Sequence, residues 1–371
     1  MTSSWINNLD NITMNQCSTD SNSSTRCSTQ GIDIQCYLIL ESNTQKIFIA
    51  IICIVMGALC ILENILVLCM IFTSVRLRKK PSYLFISSLA TADLLASLIF
   101  SYSFIDFHVF HGAGTPSVFL FKLGGVTLSF TASLGSLLLT AFDRYICIHK
   151  PSSYKLMVTR KRALLALTVM WISTTIISYL PLMGVNCCDL EVTCSELFPL
   201  IGNKFLSSWI VLVVILLSAI IFSYSHILWK AHRHTSYMKK HNIQAEKGQA
   251  RVRLDIMLAK TLALVLIVLI VCWSPALIIM IHSLIYTLDA KTKAVFAFCS
   301  TLCLVNSMVN PIVYALRSRE LRRRLIRVLR KLKCLKKPSE SQDSQEANGA
   351  GRNLAFEATG DDTLCDTEVS I

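Results

Sequence analysis

Seven stretches of the chain are apolar over the length of a membrane-crossing helix, at about 46–73, 82–108, 117–149, 161–183, 204–231, 251–284 and 292–316. Each meets the roughly 20 residues needed to cross about 30 Å of hydrocarbon. Lipid offers no partner to a peptide group, so each stretch is expected to bond its backbone internally, as a helix. The fold class that follows is an all-α membrane protein, a seven-transmembrane helix bundle. Composition agrees, with 53% hydrophobic residues, 16% charged residues and a mean hydropathy of +0.54.

Orientation follows from the basic residues, which are retained on the cytoplasmic side of nearby spans. Arg76, Arg78, Lys79 and Lys80 follow the first span, and Lys150, Lys155, Arg160, Lys161 and Arg162 follow the third. The loop after the fifth agrees, with Lys230, Arg233, Lys239, Lys240, Lys247, Arg251 and Arg253. Asp106, Asp189, Glu191 and Glu196 lie on the opposite side, and residues 1–45 hold four acids against one Arg. The N-terminus is therefore expected outside and the C-terminus in the cytoplasm. Residues 1–45 show no basic start followed by an apolar core, so the first span is read as the signal anchor. In this outer tail Asn11-Ile12-Thr13 and Asn22-Ser23-Ser24 fit the N-glycosylation pattern.

A net charge of +13 raises the question of nucleic acid, but the charge is local. Residues 317–337 carry eleven Lys/Arg against Glu320, beside the inner leaflet whose anionic lipids attract such charge. Leu321, Leu325, Ile326, Leu329 and Leu332 recur there at helical spacing, which predicts a basic amphipathic helix on the membrane surface and no nucleic-acid partner. Cys334 at its end is a candidate for palmitoylation or a plain cytosolic thiol. Residues 338–371 hold eight acids, one Arg and seven Ser/Thr, a composition expected to stay disordered. The domain organisation read from this is 1–45 tail, 46–316 membrane domain, 317–337 surface helix and 338–371 cytoplasmic tail.

Cys53, Cys60, Cys69, Cys272, Cys299 and Cys303 fall in spans and read as small packing residues. Cys17, Cys27, Cys36, Cys187, Cys188 and Cys194 face outside, where disulfides persist. Cys194 with Cys187 or Cys188 closes a small ring in one loop. Neighbouring cysteines do not easily share a partner, and Cys187 with Cys194 is the favoured pair.

Polar and aromatic residues share helical faces. In the third span Lys122, Val126, Phe130 and Ser133 step by four, four and three, and Arg144 lies eleven further on, close to three turns. Lys122 and Arg144 are thus about 33 Å apart, near opposite surfaces. In the seventh span Phe296, Ser300, Cys303, Ser307, Asn310 and Tyr314 repeat this spacing; in the second, Asp93, Phe100, Phe104 and Phe107 or His108 do so. The faces describe a lumen with aromatics above and polar groups below, the character of a ligand pocket, although any single Phe serves equally as core. Asp93, at mid-membrane, must pair, bind an ion or take up a proton, with Ser133, Asn306, Ser307 and Asn310 as oxygen-bearing neighbours. The spans show no metal-ligand cluster, paired catalytic carboxylates or nucleophile motif, and no transporter-type repeat, which argues against an intramembrane enzyme or transporter.

Three strings lie at span ends: Asp143-Arg144-Tyr145, Cys272-Trp273-Ser274-Pro275 and Asn306-Ser307-Met308-Val309-Asn310-Pro311-Ile312-Val313-Tyr314. Their order and context resemble the rhodopsin-like G-protein-coupled receptors. The resemblance implies a sodium site at Asp93 with no other cofactor, and a switch at Arg144 held by Asp143 and by Asp255. It also implies a pivot at Trp273 and Pro275, and inward movement of Tyr224 and Tyr314 beside Asn310-Pro311. Kink and packing roles alone suffice for Trp273 and Tyr224.

Val126 stands where an amine receptor has its anchoring carboxylate, Phe119 where most of the superfamily has a disulfide cysteine, and Leu216 where most have proline. With Phe104-Ile105-Asp106-Phe107-His108-Val109-Phe110-His111-Gly112, Ser129-Phe130-Thr131-Ala132-Ser133, Cys194-Ser195-Glu196-Leu197-Phe198-Pro199 and Phe296-Ala297-Phe298-Cys299-Ser300, the chain resembles the cannabinoid receptors over nearly all of 46–320. Cys187-Cys188, Glu196-Leu197-Phe198 and Ser307-Met308 look like the type 2 subtype, whereas Phe119-Leu120-Phe121-Lys122-Leu123-Gly124-Gly125 looks more like type 1. A non-mammalian type 2 form accommodates both. The resemblance implies a plasma-membrane receptor for endocannabinoid lipids, the arachidonoyl amides and glycerol esters, signalling through Gi/Go proteins to lower adenylyl cyclase activity. Arrestin and receptor kinases are the partners implied for the tail. The ligand residues it implies are Phe100, Phe104, Phe107, His108, Val126, Thr127, Phe130, Phe198, Trp209, Trp273, Phe296, Ser300 and Cys303. Ser300 is the leading polar anchor; Lys122 either joins the site or snorkels. A lysophospholipid receptor, with Lys122 on a phosphate, and a constitutive receptor without ligand are the other readings.

Overall fold

The computed structural model describes residues 42–110, 115–150, 152–240, 246–317 and Ile326, without side chains at 231, 234–235, 237–240, 246–263, 265 and 314–317. The glycosylation sites, Cys17, Cys27, Cys36, Cys334 and nearly all of 317–337 lie outside this set. Among the described residues regular structure is helical. The long helices are α1 (Asn43–Phe72), α2 (Pro81–His108), α3 (Pro116–His149), α4 (Arg160–Tyr179), α5 (Asn203–Lys240), α6 (Glu246–Ser283) and α7 (Ala290–Arg317). Each of the seven holds a stretch long and apolar enough to cross a membrane. One-turn helices, Val75–Arg78 and Tyr154–Met157, sit in two connections. The chain divides into two compact units, 1–317 and 318–371; in the second only Ile326 is described, as helical and exposed.

Local chemistry sets the helix ends. Pro81 and Pro116 occupy first turns, where a missing N–H costs nothing. Thr115 and Thr159 hydroxyls accept from the amides of Val118 and Arg162. The α4 helix stops at Tyr179, before the 183 expected from hydropathy: Leu180 keeps helical dihedrals, but Pro181 has no N–H to continue the ladder, and Gly184 turns the chain at φ 101°. The α5 and α6 helices instead outrun their apolar stretches, ending at Lys240 and beginning at Glu246, since extending a formed helix is cheap compared with starting one.

The helices α1, α2, α3, α5, α6 and α7 close a ring in that order, and α4 packs outside it against α3 and α2. The α7 helix packs on α6, α2 and α1, and α3 packs on α2, α4 and α5. In its most apolar stretch α3 is 67% buried against 22% for α4, so α3 is the central post and α4 a peripheral one. Small residues permit this, because without a hydrophobic drive between helices in lipid, association depends on close contact. A Cβ on Gly124 would lie 2.7 Å from the Tyr179 ring and 3.2 Å from the Ser178 carbonyl; one on Gly135 would lie 3.0 Å from Met170.

Two prolines open the backbone ladder of the bundle. Pro311 cannot donate to Ser307, and the Asn64 side chain of α1 donates to that carbonyl instead, at 3.4 Å. Pro275 likewise leaves the Val271 carbonyl without its helical donor. One residue on, the Cys303 thiol of α7 reaches the Cys272 carbonyl at 3.8 Å.

Between α4 and α5 the loop 186–202 folds back over the end of the bundle at which α1 begins. Cys187 and Cys194 form a disulfide, as favoured from the sequence, and Cys188 is disulfide-bonded as well. Cys194 bridges Gly202, and Ser195 donates to the Ile201 carbonyl at 2.7 Å. The α3–α4 contact yields a test. Alanine is a better helix former than glycine, so Gly124→Ala would stabilise an isolated helix; here overpacking against Tyr179 is expected to cost about 1–3 kcal/mol. Thermal unfolding of the solubilised protein will then show a lower midpoint, and an equal or higher one would refute the close-contact account.

Candidate functional site

Beneath the 186–202 loop, α2, α3, α5, α6 and α7 enclose a cavity of two lobes, about 110 and about 120 Å³, that share Phe100, Leu123, Val126, Phe198, Phe296 and Ser300. The deeper lobe adds Thr127, Phe130, Trp209, Trp273 and Cys303; the other adds Phe104, Phe107, His108 and Lys122. Every residue read from the sequence as a ligand contact thus lines one lobe or both.

The aromatic side chains form a continuous series. His108 lies 4.4 Å from Phe104, Phe104 stacks on Phe100 at 5.0 Å, and Phe100 meets Phe130 edge-on at 5.5 Å. Phe130 then meets Trp273 edge-on at 5.8 Å, two residues from Pro275. Across the cavity Phe198 sets its ring against Phe296 at 5.6 Å. Such offset and edge-on pairs are worth about 0.5–1.5 kcal/mol each beyond burial, which favours the series as a packed unit.

Few polar groups face this surface, and most are engaged. Lys122 forms an ion pair with Asp106 and lies 5.5 Å over the Tyr102 ring, so its charge is neutralised within the protein. The Trp209 indole donates to Thr131 at 3.1 Å. Ser300 donates its proton to the Phe296 carbonyl at 2.8 Å, which leaves its oxygen as an acceptor. The Ser103 hydroxyl and the Trp273 indole nitrogen are buried without a hydrogen-bond partner.

Below the cavity Asp93 is wholly buried. Ser133 donates to one carboxylate oxygen at 2.6 Å and Ser307 to the same oxygen at 2.9 Å, while Asn310 donates to the other at 2.8 Å. Asn306, the fourth expected neighbour, is buried but stands outside this set of donors. All three donors are neutral, so the site suits a cation or a proton. No group of three His, Cys, Asp or Glu suited to a metal occurs among the described residues.

At the opposite end of α3, Arg144 donates to the Asp143 carboxylate and to the Ser82 hydroxyl. Tyr154 donates to the second Asp143 oxygen at 2.7 Å. Burial pushes the Tyr154 hydroxyl up to about 12, which keeps it a neutral donor. Tyr145 stacks on His149 at 4.4 Å, and His149 and His226 share a hydrogen bond at 3.0 Å, so α3 and α5 are joined one turn from Arg144. Tyr224 is buried. The side chains of Asp255 and Tyr314 lie outside the described residues.

Sequence reasoning missed several participants. Asn64, which with Glu63 interrupts an otherwise apolar stretch of α1, carried a usable signal. Asp106 and Lys122 are an acid and a base at corresponding depths of adjacent spans, a pairing open to reading once depth is counted. Ser82, Ser103, Tyr154 and the loop residues Leu197 and Pro199 carried none, because only the fold brings them to these sites.

Residues 63–314 match the family described as 7 transmembrane receptor (rhodopsin family). The chain is 58% identical to cannabinoid receptor 2 of Mus musculus over 77% of its length and 82% of that receptor's. It is 56% identical to cannabinoid receptor 2 of Homo sapiens over 77% and 79% of the two chains. Identity to cannabinoid receptor 1 of Xenopus laevis is 50%, over 82% and 67%. Its composition, its seven spans and these relatives place the chain in the rhodopsin family of seven-transmembrane receptors, as a member of the cannabinoid receptors and more similar here to type 2 than to type 1.

Proposed function

We propose that this receptor binds uncharged arachidonoyl amides or glycerol esters in the two-lobed cavity and, when occupied, activates Gi/Go proteins to lower adenylyl cyclase activity. The observation that carries the ligand class is the Lys122–Asp106 pair. With Lys122 neutralised, the lining offers aromatic surface and isolated hydrogen-bonding groups, which suits a neutral headgroup on an apolar chain. The same pair weakens the lysophospholipid reading. Ser300 is the anchor for a headgroup hydroxyl or amide N–H, and the unpartnered Ser103 lies in the same lobe.

We read the face that carries the 186–202 loop as the outer one, with the N-terminus outside the plasma membrane and the C-terminus in the cytoplasm, in keeping with the basic residues of the opposite loops. Residues 1–45 are the glycosylated tail, with Asn11 and Asn22 as acceptors, 317–337 the basic surface helix with Cys334 as its palmitoylation site, and 338–371 the tail read by receptor kinases and arrestin. Signal transfer follows the ring series. A ligand that displaces Phe100 or Phe130 alters the packing of Trp273, and Pro275 is the point at which α6 yields. Rearrangement at the far end then frees Arg144 from Asp143 and Ser82 and opens a G-protein surface. Asp93, Ser133 and Ser307 would hold a sodium ion through hard oxygens, with Asn310 beside them. When bound, the ion supplies the positive charge that the buried carboxylate lacks and favours the inactive arrangement.

Three measurements test this reading. Arg144→Ala is expected to abolish agonist-driven nucleotide exchange on purified Gi while surface expression survives; unchanged exchange would remove Arg144 from the coupling role. Raising sodium at constant ionic strength is expected to lower agonist affinity in the parent and not in Asp93→Asn, as linkage requires, and an equal response in both would leave a purely structural network. Burying an aromatic ring is worth roughly 1.5–3 kcal/mol, so Phe104→Ala and Phe296→Ala are each expected to weaken arachidonoyl glycerol binding by about ten- to a hundredfold, with Lys122→Ala costing less. The reverse ranking with steep salt dependence would restore a charged headgroup.

A further inference from the structure

The loop 186–202 is built in two parts with different restraints. Its chain ends are tied to α4 and α5. Asn186 donates to the Pro181 carbonyl at 3.2 Å and accepts from the amides of Cys188 and Asp189 at 3.1 and 2.8 Å. At the other end the Asn203 amide donates to the Thr193 carbonyl at 3.1 Å. Between them, residues 196–200 form an excursion closed at its base by the 2.7 Å bond from the Ser195 amide to the Ile201 carbonyl. The Ser195 hydroxyl accepts from the Leu197 amide at 3.2 Å inside that excursion. Leu197, Phe198 and Pro199 therefore form one plug, and all three line the cavity.

On the far side the plug meets the connection between α6 and α7. There the Glu196 carboxylate accepts the Leu288 amide proton at 2.7 Å and faces the Lys293 ammonium at 4.0 Å. Glu196 is the residue through which the excursion makes its described polar contacts with α6–α7. Leu197, Phe198 and Pro199 are the cavity wall on the loop side, so a ligand that passes the loop must displace them. Lifting the plug about its 195–201 base separates Phe198 from Phe296 and requires the Glu196 bond to break.

We infer that Glu196 is a latch on the cavity mouth: by tying the Leu197–Phe198–Pro199 plug to Leu288 and Lys293 it sets how fast a ligand enters and leaves, and contributes little to how tightly a ligand is held. This rests on the cavity being the lipid site. Glu196 is a positioning residue, and the ligand itself need not touch it. The hydrogen bond dominates over the ion pair, because a pair 4.0 Å apart with both side chains about a third exposed is screened by solvent.

The test has a ligand-free and a ligand-bound arm, on the full receptor in nanodiscs. Without ligand, amide hydrogen exchange over 284–290 is expected to accelerate in Glu196→Ala and to stay slow in Glu196→Gln, whose amide oxygen still accepts from Leu288. With a tritiated arachidonoyl amide, Glu196→Ala is expected to raise association and dissociation rates together by roughly tenfold, the size of losing one hydrogen bond to a charged group. Glu196→Gln falls between this and the parent, and Lys293→Ala stays within about twofold of the parent. Unchanged exchange in Glu196→Ala overturns the latch. So does a faster dissociation with unaltered association, which would make Glu196 a ligand contact. Loss of surface receptor in Glu196→Ala with parental rates in Glu196→Gln would show a folding role and also overturn it. If the parent binds no arachidonoyl amide, the proposed ligand class fails, and the exchange arm still decides the latch.

Discussion

Hydrocarbon supplies no hydrogen-bond partner, and the bundle is arranged around that constraint. A carboxylate at the position of Asp93 must be solvated by the protein, and Ser133, Ser307 and Asn310 from α3 and α7 do so across the three-helix junction. The same need brings Asn64 to the carbonyl that Pro311 leaves open. Elsewhere the hydroxyls of Thr127, Ser129, Thr131 and Thr140 turn back onto carbonyls of their own helix, so polar side chains cross the membrane without an unpaired proton. Polar groups left unpaired in this setting stand out, and two of them, Ser103 and Trp273, lie on the cavity wall.

The cavity and the Arg144 cluster sit at opposite ends of α3, with ring packing in the upper half and two separate hydrogen-bonded clusters in the lower. The rings from His108 to Trp273 touch in sequence, and close-packed rings move in discrete steps. Below them the contacts are polar and directional, with the Asp93 cluster nearer the rings and the Arg144 cluster farther. An α3 lined with small residues suits both halves, because it lets neighbours approach closely enough for either kind of contact.

The sequence disclosed the helices well because a span is written in one dimension, as twenty apolar residues. Faces were also legible: Val126, Phe130 and Ser133 follow from helical spacing alone, and the cavity and the Asp93 cluster are lined accordingly. Contacts between elements far apart in the chain were not. Ser82 meets Arg144 from a helix start and Tyr154 meets Asp143 from a short loop helix, and neither position has a periodicity that announces it. Helix ends differed by several residues because hydropathy reports the membrane, whereas the ends follow caps, prolines and the low cost of helix extension.

Ser307 holds two of these arrangements at once. Its hydroxyl serves Asp93 and its carbonyl receives Asn64, so one residue ties α1, α2 and α7. The α1 helix is largely exposed along its outer face, and lipid packing has no register of its own. With the Cys60 thiol on the Leu304 carbonyl and the Ser101 hydroxyl on the Cys53 carbonyl, these polar bonds work as pins, opposing a slide of α1 along its axis where lipid alone would allow one.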